Sequence, residues 1–114
     1  MNISRQNGTL SVTGLRELNS VNAHSFRSAV ATALSQDLQT IEIDLSQTQA
    51  VDGAGLGALV SLYETANERS NQDGVTLRLT NPRPPVQQMI ELTRLHHLFE
   101  LTPPGSTPHE APRR

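Results

Sequence analysis

Residues 41–59 read IEIDLSQTQAVDGAGLGAL, and this stretch decides the fold. Apolar side chains occupy every second position from Ile41 to Leu45, and a period of two predicts a half-buried strand. Asp52 follows a short loop and is a favourable residue at a helix N-cap, so we predict a helix from there to about Ser70. The stretch is therefore a strand–loop–helix unit whose helix begins at an acidic residue.

The segments on either side of this unit contain the other predicted elements. Four further strands are predicted, at Asn2–Arg5, Thr9–Thr13, Val75–Thr80 and Leu98–Leu101. Apolar residues spaced as on one face of a helix predict a helix that is capped by Asn19 or Ser20 and runs to about Ser35. Pro84 or Pro85 suits the first turn of another helix. The predicted order is β-β-α-β-α-β-α-β.

This order and the polar face of each strand indicate the fold class. Strand–helix–strand units favour parallel pairing with right-handed crossovers, and Asn7-Gly8 is a hairpin turn signal between the first two strands. A sheet covered on both faces would have continuous apolar strands. Because the strands here alternate, we expect an α/β fold with the helices mainly on one face of the sheet.

Composition argues against several classes of function. The net charge is −2, so the chain lacks the basic excess of a phosphate-backbone binder, and two Phe, one Tyr and no Trp offer little base stacking. The chain has no cysteine, no signal-peptide pattern in residues 1–10 and no apolar run near the length that spans a bilayer. We therefore expect a cytoplasmic protein that binds no nucleic acid and does not insert into membranes.

The chain length suits one domain, which we place at residues 1–101. The last large apolar residue is Leu101. Residues 102–114 contain four prolines and one glycine, so we expect this tail to be disordered.

The first turn of the helix after Asp52 is almost bare of side chains. Gly53, Gly55 and Gly57 fall within five positions, although a helical glycine costs about 0.5–1 kcal/mol relative to alanine. Three interpretations are open. The small residues could let the helix pack tightly on the sheet, the turn could dock on another protein, or Gly53, Gly55 and Ala58 could form the G-x-G-x-x-A pattern of a dinucleotide site. Asp52 weakens the last interpretation, because its carboxylate lies where a pyrophosphate would bind.

Other constellations favour neither an enzyme nor a metal site. Asp44 and Asp52 could be a carboxylate pair, but no nucleophile or histidine stands beside them. His96 and His97 are adjacent, so their side chains diverge and cannot easily share one ion. We expect no catalytic residue, no metal and no cofactor.

Four motifs, taken in order, resemble the STAS domain family. The first motif has two parts, because residues 44–46 (DLS) and 52–57 (DGAGLG) together are similar to the family's signature, an Asp-Leu-Ser strand end followed by an Asp-Ser-Ser/Thr-Gly-Leu helix start. The other motifs resemble the segment before the family's first helix, the entry to its third helix and its last strand, and stand at residues 18–23 (LNSVNA), 79–82 (LTNP) and 98–100 (LFE). The resemblance covers residues 8–101 approximately.

The resemblance implies a mixed β-sheet with helices mainly on one face, and a function in protein binding. Bacterial anti-sigma-factor antagonists of this family bind a serine-kinase anti-sigma factor and release the sigma factor, which regulates transcription. The partner-binding residues implied by this resemblance are Asp52, Gly53, Ala54, Gly55, Leu56, Asn19 and Ser20.

The sequence departs from the family pattern at the phosphoacceptor. In the family the kinase phosphorylates the serine directly after the motif Asp, but here that position is Gly53 and the next is Ala54. Neither has a hydroxyl, and Asn19 replaces a frequent Asp. Three hydroxyls nearby are more simply interpreted as structural: Ser46, Thr48 and Ser61. Two other functions stay open, a STAS accessory subunit of a transporter or sensory complex and, in a different class, a nucleotide-binding domain.

Overall fold

The computed structural model describes residues 1–69, 74–94 and 97–102, and within them the chain forms seven strands and three helices. The strands are β1 (Asn2–Gln6), β2 (Thr9–Thr13), β3 (Glu17–Leu18), β4 (Thr40–Asp44), β5 (Ala50–Val51), β6 (Thr76–Thr80) and β7 (Glu100–Thr102). The helices are α1 (Ala23–Thr32), α2 (Gly53–Arg69) and α3 (Pro84–Leu92). The predicted order is confirmed, with two short strands, β3 and β5, in addition.

The main sheet has five strands in the order β1-β2-β4-β6-β7. β1 and β2 form an antiparallel hairpin, and its turn residues Asn7 and Gly8 have φ angles of 53° and 80°. Two positive φ angles in a two-residue turn match the twist of the strands that it joins. The remaining neighbours pair in parallel, so the sheet is mixed, and a helix lies in each parallel connection.

The strand register separates an apolar from a polar face. The buried side chains of the three central strands form two rows across the sheet, Leu10–Ile41–Leu77 and Val12–Ile43–Leu79. The same core cluster contains Phe26 of α1, Leu59 of α2 and Ile90 of α3. All three helices therefore cover the face on which these rows lie, as the alternating strands predicted.

The opposite face of the sheet is polar. Arg78 of β6 bonds to Glu42 on one neighbouring strand at 3.3 Å and to Glu100 on the other. Partial burial works against the charge of Arg78, but hydrogen bonds to the two carboxylates and their charges outweigh it and raise its pKa. Cross-strand pairs of this kind stabilise a sheet face that no helix covers.

Helices α2 and α3 agree with the sequence prediction. α2 begins directly after Asp52, and α3 begins at Pro84, where the missing N–H of proline is not needed. Both helices bury an apolar side against the sheet, which includes Leu56 of α2 and Val86 of α3.

Helix α1 is shorter than predicted at both ends. It spans Ala23–Thr32, whereas the prediction ran from a cap at Asn19 or Ser20 to Ser35. The turn before the helix is closed by Asn19, whose carbonyl accepts the N–H of Ala23 at 2.7 Å and whose side-chain oxygen accepts an N–H two residues on at 2.9 Å. Asparagine favours such local turns, so it acts before the helix rather than at its cap.

Strand β7 lies later than predicted. It spans Glu100–Thr102 rather than Leu98–Leu101, and Thr102 pairs with Thr80 of β6. The sheet therefore includes Thr102, which the sequence prediction places in the tail. Residues 103–114 lie outside the described residues.

Candidate functional site

Asp52 forms the N-cap of α2 with both its side chain and its main chain. Its Oδ1 accepts the N–H of Gly55 at 2.9 Å, and its carbonyl accepts the N–H of Leu56 at 2.9 Å. A carboxylate at this position also interacts favourably with the positive end of the helix dipole. Because the residue is exposed, the start of α2 presents a negative charge to solvent.

Gly55 brings α2 against β3 with no space for a side chain. A Cβ at this position would lie 2.2 Å from the carbonyl oxygen of Leu18 and 2.8 Å from its carbonyl carbon. The N–H of Asp52 donates to the same oxygen at 3.2 Å. Packing therefore requires glycine at position 55, which lets the start of the helix close onto the short strand.

Gly53 and Gly57 have a different environment from Gly55. Both are exposed, and among the described residues a Cβ at either would meet nothing within 4 Å. Neither is among the glycines with a positive φ. Neither packing nor backbone conformation requires glycine there. Gly53 and exposed Ala54 leave the outer side of the first helical turn without large side chains, and Gly57 does the same at the start of the second turn.

The loop after β3 lies beside the start of α2. β3 and β5 pair in parallel with Leu18 opposite Val51, so the residues that follow the two strands leave the small sheet at the same end. Asn22 holds the loop: its side-chain oxygen accepts the N–H of Asn19 at 2.8 Å, and its amide donates to the carbonyl of Glu17 at 2.8 Å. The structure thus brings together the two segments in which the sequence predicted partner-binding residues.

The outward side of this loop carries Ser20 and Val21. Ser20 is exposed, and its hydroxyl forms no hydrogen bond within the part of the chain that the structure describes. Val21 is 85% exposed, although most aliphatic side chains of this domain are buried. Sequence reasoning missed Val21. The available signal was an apolar residue between polar neighbours, outside the stripe that α1 turns to the core.

The seven predicted site residues divide into an exposed and a covered group. The exposed ones are Ser20, Asp52, Gly53 and Ala54. Asn19 is half-buried and holds its turn, Gly55 is buried, and Leu56 is 4% exposed within the core. Gly55 and Leu56 shape the site without reaching its surface, and Asn19 reaches it only in part. We call the exposed residues together with Val21 the α2-entry surface: Ser20, Val21, Asp52, Gly53 and Ala54.

The geometry disfavours the dinucleotide interpretation of the glycines. The N–H of Gly55, which a pyrophosphate would need, is bonded to Asp52, and the residue itself packs against Leu18. Ala58, the last position of the pattern, is buried in the core. Gly55 is therefore approached closely by the protein's own strand β3. Tight packing of the helix explains the glycine at position 55 but not the glycine at position 53.

The carboxylates of Asp44 and Asp52 have separate structural functions. Asp44 accepts the N–H of Ser46 at 3.1 Å and the side-chain amide of Asn81 at 3.2 Å, at the end of β4. Within residues 1–69, 74–94 and 97–102, no group of three His, Asp or Glu side chains could hold a metal ion. His96 lies outside the described residues.

Two shallow cavities lie at the carboxyl ends of β4 and β6, with volumes of about 250 and 410 Å³. The first is lined by Arg16, Ser46, Gln47, Gln49 and Arg83. The second is lined by Ser46, Asn81, Pro82, Arg83 and Pro84. No residue of the α2-entry surface lines either of these two cavities.

The described residues contain no helix of the length and apolar character that crossing a bilayer requires. The mixed sheet with helices on one face and the acid-capped helix start after a parallel strand are the features of a STAS-like domain that the sequence resemblance implies. The chain matches the STAS domain family over residues 1–111. It belongs to that family, which confirms the resemblance read from the sequence.

Solved structures with the same fold include three related to anti-sigma-factor antagonists. TM1081 of Thermotoga maritima, a candidate anti-sigma factor antagonist, aligns with a TM-score of 0.78 and 22% identity, over 96% of this chain and 89% of that one. An anti-sigma factor antagonist from Mycobacterium paratuberculosis aligns with a TM-score of 0.76 and 23% identity, over 96% of this chain and 87% of that one. The Bacillus protein SpoIIAA in its unphosphorylated form aligns with a TM-score of 0.74 and 20% identity, over 96% of this chain and 90% of that one.

A domain of a membrane transporter has the same fold. The murine anion transporter Slc26a9 aligns with a TM-score of 0.72 and 23% identity, over 88% of this chain but 17% of the transporter. A search of curated protein sequences finds no match to this chain. At these identities the likeness establishes the fold, which antagonists and transporter domains share.

Proposed function

We propose that this protein is an anti-sigma-factor antagonist, a protein-interaction module without enzymatic activity. It binds an anti-sigma factor of the serine-kinase type in the cytoplasm and thereby regulates transcription. The observation that carries this proposal is the α2-entry surface, in which the loop after β3 and the bare first turn of α2 stand side by side.

The physical character of this surface supports a protein partner. Gly53 and Ala54 allow another backbone or a flat side chain to approach the helix closely, and Val21 supplies an apolar anchor that is 85% exposed. Asp52 adds a negative charge in the same place, which favours a partner with a basic contact. Specific interfaces combine an apolar core with a polar rim, and Val21 and Asp52 could supply one contact to each.

Gly53 gives this antagonist a particular property. In the family the residue after the motif Asp accepts a phosphoryl group, but Gly53 has no hydroxyl. Its partner therefore cannot be released by modification at this position. Phosphorylation at position 53 cannot switch partner binding on or off, so any control of binding acts at another position.

The experiment that tests the proposal measures binding to purified serine-kinase anti-sigma factors encoded in the source genome. Gly53→Asp should fold, because a side chain there meets nothing within 4 Å and a carboxylate suits the helix start. It should weaken binding on the order of a hundredfold, because the new charge is desolvated beside Asp52 in the interface. Gly53→Ser should bind like the wild type. Calorimetry gives the affinities and a melting curve checks the fold.

Ser4→Asp is the matched control, because Ser4 is exposed and lies on β1, in the row of residues that includes Glu42 and Arg78 on the polar face of the sheet. It adds the same charge on the side away from α2 and should leave the affinity unchanged. If Gly53→Asp folds and binds as tightly as the wild type, the partner docks elsewhere. If no anti-sigma factor binds and a transporter subunit does, the accessory-subunit function replaces this proposal.

A further inference from the structure

The two cavities at the carboxyl ends of β4 and β6 adjoin each other. Both are lined by Ser46 and Arg83, so together they form one groove, which we call the β4–β6 groove. Arg16 and Gln49, in its wall, directly precede β3 and β5, whereas the residues of the α2-entry surface follow these two parallel strands. The groove and the α2-entry surface therefore lie at opposite ends of the small sheet.

Two arginines from distant parts of the chain line the first cavity of the groove. Arg16 and Arg83 are both exposed, and among the described residues neither side chain forms a salt bridge or a hydrogen bond. Arg78, on the polar face of the sheet, is in contrast held between two glutamates. Like charges that share a cavity repel each other, and an anion bound between them replaces this repulsion by attraction.

The other polar groups of this cavity also favour an anion. The side-chain amides of Gln47 and Gln49 are exposed, and within the described part of the chain they form no hydrogen bond. Ser46 connects the wall to a carboxylate, because Asp44 accepts its N–H at 3.1 Å and its hydroxyl at 2.9 Å. Asp44 also accepts the amide of Asn81 at 3.2 Å and lines neither cavity. Three hydrogen bonds thus engage the nearby acid, while two cations and two amides are available to a ligand.

Hydrogen bonds hold the backbone that carries the two arginines. The carbonyl of Arg16 accepts the N–H of Gln49 at 2.9 Å, and the carbonyl of Arg83 accepts an N–H from the first turn of α3 at 2.8 Å. Thr48 is fully buried, and its hydroxyl donates to the carbonyl of the residue before Arg16 at 2.5 Å. Because the frame exists before binding, a ligand has to order only the side chains, which limits the entropic cost.

The second cavity of the groove has an apolar wall. Its lining includes Pro82, which is buried, and Pro84, which is exposed, and Arg83 stands between them at the border with the first cavity. α3 begins at Pro84 without a side-chain cap, so the positive end of its dipole adds to the charge of the arginines. The groove therefore suits a ligand with an anionic group at one end and an apolar group at the other.

We propose that the β4–β6 groove binds a small phosphate monoester, with its phosphoryl group between Arg16 and Arg83 and its apolar substituent against Pro82 and Pro84. A phosphate monoester has a charge of about −1.5 to −2 at pH 7, which two guanidinium groups balance. The planar fork of each guanidinium can bond two phosphate oxygens at once. The inference is independent of the proposed function, because no residue of the α2-entry surface lines the groove.

The test titrates the full chain with phenyl phosphate at constant ionic strength and follows the backbone amide signals by NMR. The signals of Arg16, Gln47, Gln49 and Arg83 should shift together and saturate, with a dissociation constant of about 1 mM or lower. Inorganic phosphate lacks the ring and benzoate has a single charge, so each should bind several-fold more weakly. If phenyl phosphate gives no saturable shift in the groove, the site does not exist. Equal binding of benzoate would contradict the phosphoryl assignment, and equal binding of inorganic phosphate would contradict the apolar contact.

Variants of three arginines show whether the groove or the general charge of the surface attracts the ligand. Arg16→Gln and Arg83→Gln should each weaken the binding of phenyl phosphate about tenfold. Arg94→Gln is the matched control, because Arg94 is also exposed but lies beyond the other end of α3, and it should bind like the wild type. Melting curves should stay unchanged, since within the described ranges none of these side chains forms a hydrogen bond or salt bridge. Wild-type affinity in Arg16→Gln or Arg83→Gln, or an equal loss in Arg94→Gln, would show that the assignment is wrong.

Discussion

Gly53 and Gly55 stand two residues apart in the same helical turn, yet they have opposite environments. A Cβ on Gly55 would overlap the carbonyl oxygen of Leu18 at 2.2 Å, whereas a Cβ on Gly53 would meet nothing within 4 Å. In the sequence, both are simply glycines within a run of small residues, and nothing there distinguishes the environment of one from that of the other. The buried side of the turn has glycine because the protein's own strand approaches it, whereas no contact within the part of the chain that the structure describes requires glycine on the exposed side.

This difference separates stability from binding at the start of α2. Changes on the buried side alter the packing of the helix on β3, and changes on the exposed side alter what a partner meets. The predictions below test this separation, from the largest expected effect on the free energy of unfolding to the smallest.

Gly55→Ala should destabilise the domain most. The added methyl group overlaps backbone rather than a flexible side chain, so α2 or β3 must shift, and overpacking of this kind costs about 3 kcal/mol. Urea denaturation measures the loss. Gly53→Ala is the matched control, because it adds the same methyl group in open space and should change stability by about 0.5 kcal/mol or less. Equal stability of the two variants would show that the helix start can move away from Leu18.

Asp52→Ala should have an intermediate effect. It removes the acceptor of the Gly55 N–H, and the loss of an N-cap side chain costs about 1 kcal/mol. Asp52→Asn keeps an acceptor oxygen and removes the charge, so it should retain most of the stability while binding a basic partner more weakly. Thermal unfolding and calorimetry separate the two contributions. A loss of stability in Asp52→Asn as large as in Asp52→Ala would mean that charge, rather than the cap bond, stabilises the helix start.

Much of the fold follows from local sequence patterns. β4 alternates strictly, and α2 has an acidic cap followed by a long apolar stripe, so both are predicted with their positions. The short strands β3 and β5 were not predicted, because two residues are too few to show a period. They exist because Leu18 pairs with Val51, which lies far from it in the sequence. The start of α1 was misplaced because Asn19 and Asn22 bond to the loop rather than to the helix.

The candidate site could be predicted in part. Asp52 and the bare turn after it were visible in the sequence, and Asn19 and Ser20 came from the family resemblance. Which glycine faces the protein and which faces solvent depends on the carbonyl of Leu18, and no local pattern carries that information. The exposure of Val21 likewise depends on a turn that three asparagine hydrogen bonds define.

Gly57→Ala should have a smaller effect than Gly55→Ala or Asp52→Ala, and the sign of the change in stability is the informative quantity. Gly57 is exposed within α2, has no positive φ and has open space at its Cβ position. Alanine should therefore stabilise the domain by about 0.5–1 kcal/mol, through a lower conformational entropy of the unfolded chain. For a chain of this size that corresponds to a rise in Tm of about 2–4 °C. A fall in Tm would reveal a contact at Gly57 and would contradict the assignment of this side of the helix as open. Binding by the same variant shows how far the docking surface extends: an affinity equal to that of the wild type limits it to the first turn, and a weaker one means that the partner also approaches the second turn.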